Sequence, residues 1–347
     1  MQKLRVLVVE DSLTVRRRIC DALAADPGVE VVAEAADGKS GIELCQRLRP
    51  DVVTFDMHLP VMSGLAATEY IMAHFPTPIL IVSASANRGD LFKTYDALSA
   101  GAVDVLEKPT GEEPDDAWDK KLVAAVKLVA RIRVITHPRG RLRPSLAALP
   151  AAEVPTARPP SPPRLVAIGA STGGPAALLD ILRALPRVPA PVLIVLHIGE
   201  LFGTAFAEWL DEQTPHDVSN ARDGEPLMGA GGRVLLAPPG RHLVIRGGSL
   251  QLTNDAERHS CRPSVDVLFD SIAREYGASA LGCLLTGMGR DGAAGLLEMR
   301  RAGSPTIAQN EATSVVYGMP REAALIGAAG RILPLGEIAG AIAEHFR

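Results

Sequence analysis

A chain of 347 residues with 47% hydrophobic side chains and a formal charge of −4 has material for two cored domains of about 150 residues each, which excludes a disordered or fibrous class. No lysine or arginine block stands out from that acidic balance, so the charge footprint of a nucleic-acid binder is missing. The 4 cysteines, Cys20, Cys45, Cys261 and Cys283, lack C-x-x-C spacing, which argues against a disulfide framework and against a zinc site.

Apolar runs such as 191–196 fall far below the ~20 residues of a membrane span. Glu10-Asp11 interrupts the first apolar run before a signal peptide could form. The expectation is a soluble, cytoplasmic protein.

In chain order, the runs 6–9, 51–55, 79–82 and 102–106 are β-branched or leucine-rich and alternate with amphipathic helical patterns, which predicts a parallel sheet covered on both faces. Glu10 and Asp11 follow the first run, Asp56 the second, Ser83 the third and Lys108 the last. In doubly wound sheets ligands bind at the carboxyl ends of strands, so these groups should converge. Three converging carboxylates repel unless a hard cation such as Mg²⁺ neutralises them. Lys108 and Ser83 then suit phosphoryl oxygens as point charge and hydroxyl donor. The segment from Trp118 to Ile135 has helical periodicity and should close this first domain, 1–135. Between 136 and 163 prolines recur so densely that a partly extended linker is predicted.

The third part, 164–347, again alternates strand and helix patterns. Gly169-Ala170-Ser171-Thr172-Gly173-Gly174 follows the apolar run 165–168 and precedes Pro175, which suits a first helical position, so a tight strand-to-helix turn is predicted with Ser171 as candidate nucleophile. The plain alternative is a glycine-rich turn with a serine N-cap. The loop has neither G-x-G-x-x-G nor a following Gly-Lys-Ser/Thr, which weakens a nucleotide-binding reading. His197 ends the run 191–196, and Asp291 lies in the Gly-rich stretch after 279–285. Serine, histidine and aspartate thus each follow a strand, as in hydrolase sites that gather nucleophile, base and orienting acid at one sheet edge. His242 and His259 remain rival bases, and Asp223 and Asp266 rival acids. The apolar spacing around Asp266 makes it an outward-facing helix residue near an N-cap. Gly247-Gly248, between 242–245 and 250–253, predicts a hairpin that adds antiparallel strands to the sheet.

Two sets of motifs resemble a known family. Glu10-Asp11, Asp56-Met57-His58-Leu59-Pro60, Ser83 and Lys108-Pro109 resemble a two-component receiver domain. The Ser171 turn, the strand ending in His197, Arg262-Pro263-Ser264-Val265-Asp266 and the stretch from Leu285 to Ala293 resemble the catalytic domain of the chemotaxis protein-glutamate methylesterases, the CheB family. The resemblance implies a doubly wound α/β receiver joined to a doubly wound α/β esterase domain with an antiparallel hairpin. It implies phosphorylation of Asp56 by a histidine kinase of the CheA type, and Mg²⁺ held by Glu10, Asp11, Asp56 and the backbone carbonyl of His58. It also implies Ser171–His197–Asp291 catalysis, with the backbone N–H groups of Thr172 and Met288 as oxyanion donors and no cofactor in the esterase domain. The substrates would be methylated glutamates of chemoreceptors, with deamidation of particular receptor glutamines as a second reaction. The protein would act as a monomer, its unphosphorylated receiver restraining the esterase. A receiver-gated esterase of a non-motility chemosensory pathway is the alternative. Two positions depart from the family: Val105 stands where many receivers have an aromatic switch residue, and Ile198-Gly199-Glu200 replaces a methionine-proline pair after the histidine.

Overall fold

The computed structural model describes residues 3–84, 87–109, 117–132, 134 and 164–346. The chain divides into two compact units on either side of residue 146; the expected linker 136–163 lies outside the described residues.

In the first unit β1 (Leu4–Val9), β2 (Val29–Ala35), β3 (Val52–Phe55), β4 (Ile79–Ser83) and β5 (Asp104–Glu107) form one sheet in the order β2-β1-β3-β4-β5, and every pairing is parallel. β1 has a neighbour on each side, so the chain's winding reverses between β1 and β3. That reversal opens a crevice at their carboxyl ends. The helices start where short polar side chains can take an unpaired N–H: Ser12 for α1 (Leu13–Ala24), Asp37 for α2 (Gly38–Leu48), Ser63 for α3 (Gly64–His74) and Asn87 for α4 (Arg88–Ser99). α5 (Ala117–Val129) buries Trp118, Leu122, Val126 and Val129 at helical spacing. It stops six residues before the expected Ile135, which itself lies outside the described residues. Residues 130 and 131 already form a turn. β2 escaped the sequence reading because its glutamates Glu30 and Glu34 break the apolar run, as an exposed edge strand allows.

The second unit is built on a seven-stranded sheet: β6 (Leu165–Ala170), β7 (Val192–Leu196), β8 (Asp217–Asn220), β9 (Arg233–Leu236), β12 (Ala280–Leu284), β13 (Thr306–Gln309) and β14 (Arg331–Leu333). Their order is β14-β13-β12-β6-β7-β9-β8, and all pairs are parallel. The strands between the edges are buried almost throughout, as expected of a sheet covered on both faces. The hairpin expected around Gly247-Gly248 forms, as β10 (His242–Arg246) and β11 (Ser249–Thr253), but it is a separate two-stranded sheet rather than an addition to the main one. Its inward residues Leu243, Ile245 and Leu250 join Val265, Leu268, Phe269 and Ile272 of α9 (Val265–Glu275) in the core. A parallel sheet whose faces are taken by helices leaves the ribbon to pack on a helix instead. Among the described residues no helix is long and apolar enough to cross a membrane.

Gly64 shows how tightly the first crevice is built. A Cβ at that position would lie 2.2 Å from the Asp56 carbonyl oxygen and 3.0 Å from Met57 Cα. Gly64→Ala is therefore expected to cost about 1–3 kcal/mol by overpacking against backbone; chemical denaturation of the full-length protein reads the loss.

Candidate functional site

The second unit's site begins at β6, the central strand, flanked by β12 and β7. Ser171 leaves its end with its N–H on the Thr286 carbonyl at 3.0 Å, and its own carbonyl accepts the Gly174 N–H at 2.6 Å. Gly173, at φ +77°, turns the chain into α6 (Gly174–Ala184). This conformation is natural to glycine, and a Cβ there would also strike Val315 at 2.5 Å. Gly173, not Ser171, is therefore the N-cap, and Pro175 sits second in the helix rather than first. The serine hydroxyl has no capping duty, and among the described residues it makes no hydrogen bond.

His197 directly follows β7, and its Nε2 lies 2.9 Å from Asp291 Oδ2. Asp291 is 2% exposed and is held by the start of α9: Oδ2 also accepts the Val265 N–H at 2.7 Å, while Oδ1 accepts the Ser264 hydroxyl at 2.7 Å and the Asp266 N–H at 3.1 Å. Burial by itself would raise the Asp291 pKa. The His197 ring, Ser264 and Val265 outweigh it and lower the value, so the carboxylate stays ionised. Burial likewise pulls His197 down, but the bonds to Asp291 and to the Cys261 thiol prevail and lift it to about 9. Nδ1 of His197 faces Cys261 Sγ at 3.7 Å.

The rivals left open by the sequence take structural places. His242 is fully buried, its Nδ1 accepting the Ser264 N–H and its Nε2 facing the Ala256 carbonyl. Asp223 accepts the Leu252 N–H at 2.8 Å. Asp266 does not face outward as expected: it is fully buried, with Oδ1 on the Gly295 N–H at 2.6 Å and Oδ2 on His259 Nε2 at 3.0 Å. Apolar spacing puts it on the polar side of α9. The start of α10 (Ala293–Arg301) covers that side, and its Gly295 N–H accounts for a buried carboxylate there.

Between Ser171 and Asp291 the turn 285–289 closes over the serine. Met288 is 56% exposed, and its N–H donates to no group among the described residues. Gly287 comes so near that a Cβ on it would meet Ser171 Cβ at 2.7 Å. The Thr286 hydroxyl donates to the Thr172 carbonyl at 3.0 Å and accepts the Val316 N–H at 2.9 Å, and the Gln309 side chain accepts the Thr286 N–H at 2.8 Å. Thr286, Gln309, Ser264 and Cys261 were not singled out from the sequence as site residues. Only Ser264, by its N-cap position before an apolar helix, offered a signal there. Of the two departures, Gly199 caps the short α7 (Glu200–Thr204) directly after His197, and Val105 is half-buried in β5.

In the first unit Glu10, Asp11 and Asp56 meet at the β1/β3 crevice, with one oxygen of each within 4.8 Å of the others. Lys108 Nζ lies 3.0 Å from both Glu10 Oε1 and Asp56 Oδ2. Burial, followed by the Asp56 charge, pushes the Glu10 carboxyl up against the pull of Lys108. Burial opposes the Lys108 charge, but Glu10 and Asp56 prevail and raise its pKa. Asp56 Oδ1 is buried without a hydrogen-bond partner. An orphaned carboxylate oxygen beside two further carboxylates is what a hard, oxygen-seeking cation fits. Ser83 is fully buried at the end of β4. The His58 ring is exposed and faces Asp90 at 3.0 Å, away from any duty in the crevice.

Thr286→Val removes the hydroxyl that joins two turns and leaves the Thr172 carbonyl and Val316 N–H without it. A loss of about 1–3 kcal/mol in chemical denaturation is expected.

Residues 166–342 match the CheB methylesterase family, and residues 6–115 match the response regulator receiver domain. A protein of Anaeromyxobacter dehalogenans named protein-glutamate methylesterase/protein-glutamine glutaminase 2 is 45% identical over 346 residues, covering 99% of this chain and 97% of that protein. A Nitrosospira multiformis protein named protein-glutamate methylesterase/protein-glutamine glutaminase is 42% identical over 344 residues, with 98% and 96% covered. The crystal structure of the Thermotoga maritima CheB methylesterase catalytic domain superposes with a TM-score of 0.50 at 34% identity, covering 52% of this chain and 98% of that one. Full-length likeness of this order, with a receiver sheet in front and a parallel seven-stranded sheet behind, places the chain in the CheB family of receiver-linked methylesterases.

Proposed function

We propose that the chain is a phosphorylation-regulated serine methylesterase that removes γ-methyl esters from methylated glutamates of chemoreceptors. The observation that carries this reading is the His197–Asp291 pair anchored on the N-terminus of α9, beside the turn that presents Ser171. With Nε2 committed to Asp291, Nδ1 is the nitrogen left to take the serine proton. Ser171 Oγ attacks the ester carbonyl carbon as its proton passes to Nδ1, and the oxyanion is received by the N–H groups of Thr172 and Met288. The C–O bond to the methoxy group then breaks, and His197 returns the proton so that methanol leaves. Water, deprotonated by the same nitrogen, releases glutamate from the acyl-serine. An amide in place of the ester would lose ammonia, which extends the reading to receptor glutamines, in keeping with the relatives' names.

In the first unit Asp56 is the phosphoryl acceptor, supplied by a histidine kinase of the CheA type. Lys108 and Ser83 serve the phosphoryl oxygens. Glu10, Asp11, Asp56 and the His58 carbonyl would hold Mg²⁺, whose charge offsets that of the crevice and the incoming phosphoryl group when bound.

Variants and a pH profile test these roles. Ser171→Ala is expected to lower methanol release from methylated receptor membranes by ~10³-fold or more, and Asp291→Asn by a smaller factor, since it misorients the imidazole without removing it. Comparable release by the serine variant would move the nucleophile elsewhere. His197 must be neutral to act as base, and its pKa is raised to about 9. The kcat/KM profile should therefore climb from neutral pH and level off above about 9, and Cys261→Ala, which removes one raising partner, should move that limb to lower pH. Asp56→Asn should abolish labelling by small phosphodonors and leave a basal esterase rate, because an amide oxygen is a poor nucleophile toward phosphorus and a poor cation ligand.

A further inference from the structure

Cys261 has no part in the reaction above, yet the chain holds it against the catalytic base. Arg258 and Cys261 exchange backbone hydrogen bonds of 3.2 and 3.0 Å across a two-residue turn. The turn's central residues, His259 and Ser260, both carry positive φ, 54° and 58°. The thiol that this turn presents is half-buried, 3.7 Å from His197 Nδ1 and 3.4 Å from the His259 carbonyl.

Zn–S and Zn–N bonds of roughly 2.3 and 2.0 Å at a tetrahedral angle put a thiolate sulfur and an imidazole nitrogen about 3.5 Å apart on one ion. The Cys261–His197 separation, 3.7 Å, lies within about 0.2 Å of it, the tolerance expected of a metal site. The far side of the ring is also prepared: Nε2 is bonded to Asp291, whose own oxygens are taken by Val265, Ser264 and Asp266. A carboxylate behind a histidine fixes the ring's tautomer and raises the basicity of the other nitrogen, the usual support of a metal-ligating histidine. His197, Cys261 and Asp291 lie close enough to form one cluster, but Asp291 is saturated by its existing bonds and belongs behind the ring rather than on an ion.

We propose that Cys261 Sγ and His197 Nδ1 form a binding site for a thiophilic divalent cation of the Zn²⁺ class, and that its occupation holds the esterase off. On binding, the S–H bond of Cys261 breaks and its proton, with any proton on Nδ1, goes to solvent; water completes the ion's coordination. The lone pair that would accept the serine proton is then committed to the metal. Sulfur and imidazole favour Zn²⁺ or Co²⁺ over Mg²⁺, whereas the all-oxygen crevice of the first unit has the opposite preference. The inhibitory consequence rests on the proposed role of His197, but binding does not.

The experiment uses the full-length protein in excess Mg²⁺, which keeps the first unit's carboxylates engaged. Co²⁺ is added as a spectroscopic probe for the Zn²⁺ site, and Zn²⁺ inhibition is followed on a soluble aryl ester, each variant compared with its own metal-free rate. Wild type should show a thiolate-to-Co²⁺ charge-transfer band that Zn²⁺ displaces and that Cys261→Ser and Cys261→Ala lack. Half-inhibition by Zn²⁺ should need at least about tenfold more metal in the variants, as loss of a ligand predicts. No such band in wild type, a band that persists without Cys261, or equal Zn²⁺ sensitivity of wild type and variants overturns the site. A Cys261-dependent band in a protein that hydrolyses no ester would uphold the site and overturn the esterase reading instead.

Discussion

The second unit depends on one buried charge. Asp291 is almost completely enclosed, and an enclosed carboxylate is tolerated only where donors surround it. Here they come from the first turn of α9, two N–H groups and the Ser264 hydroxyl, and from the His197 ring. The same contacts dock the helix against the sheet edge and aim the ring, so folding and the proposed chemistry share one set of bonds. Asp266, in that same first turn, repeats the device toward α10, with the Gly295 N–H as a donor. Two buried aspartates at helix starts thereby lock α9 and α10 together beneath the site.

The crevice of the first unit answers the same problem differently. Glu10 and Asp56 are as buried as Asp291, but their compensation comes mainly from one cation, Lys108, with the Ser12 N–H on Glu10 as the one backbone donor among the described residues. Asp56 Oδ1 has no hydrogen-bond partner among the described residues, and Glu10 Oε2 has only the Lys108 charge. A rigid cage of amides suits a carboxylate that must stay ionised and still. A lysine point charge with an unfilled oxygen suits the change of partners that the proposed phosphorylation of Asp56 would require. The contrast explains why both kinds of buried acid occur in one chain.

His197 sits between two claims. The carboxylate on Nε2 makes the ring more basic, and the thiol faces Nδ1, the nitrogen that the proposed mechanism gives to the serine proton. Ser171 Oγ makes no hydrogen bond among the described residues, and the Cys261 thiol is the group that faces Nδ1; under the proposed mechanism both would need that one nitrogen. Cysteine spacing gave no hint of this, because metal and thiol signals in sequence are local patterns and Cys261 lies 64 residues from its partner.

Much of this protein was legible in the residues alone. Continuous apolar runs mark strands buried on both faces, the polar residue after each run marks the sheet edge where ligands gather, and glycines around Ser171 mark a turn that side chains would obstruct. Those features are local, set by backbone sterics and the period of a strand, so the parallel architecture and the Ser171, His197 and Asp56 positions follow from them. The tertiary structure decided what local pattern cannot carry: that Asp291, singled out by the family resemblance but not by spacing from Asp223 and Asp266, faces His197, that Asp266 is buried, that the hairpin stands apart from the main sheet, and that Cys261 lies against His197. Each depends on which elements pack together across tens of residues. Burial of a polar side chain is settled by the donors that a distant segment supplies, and no spacing within one helix or strand encodes them.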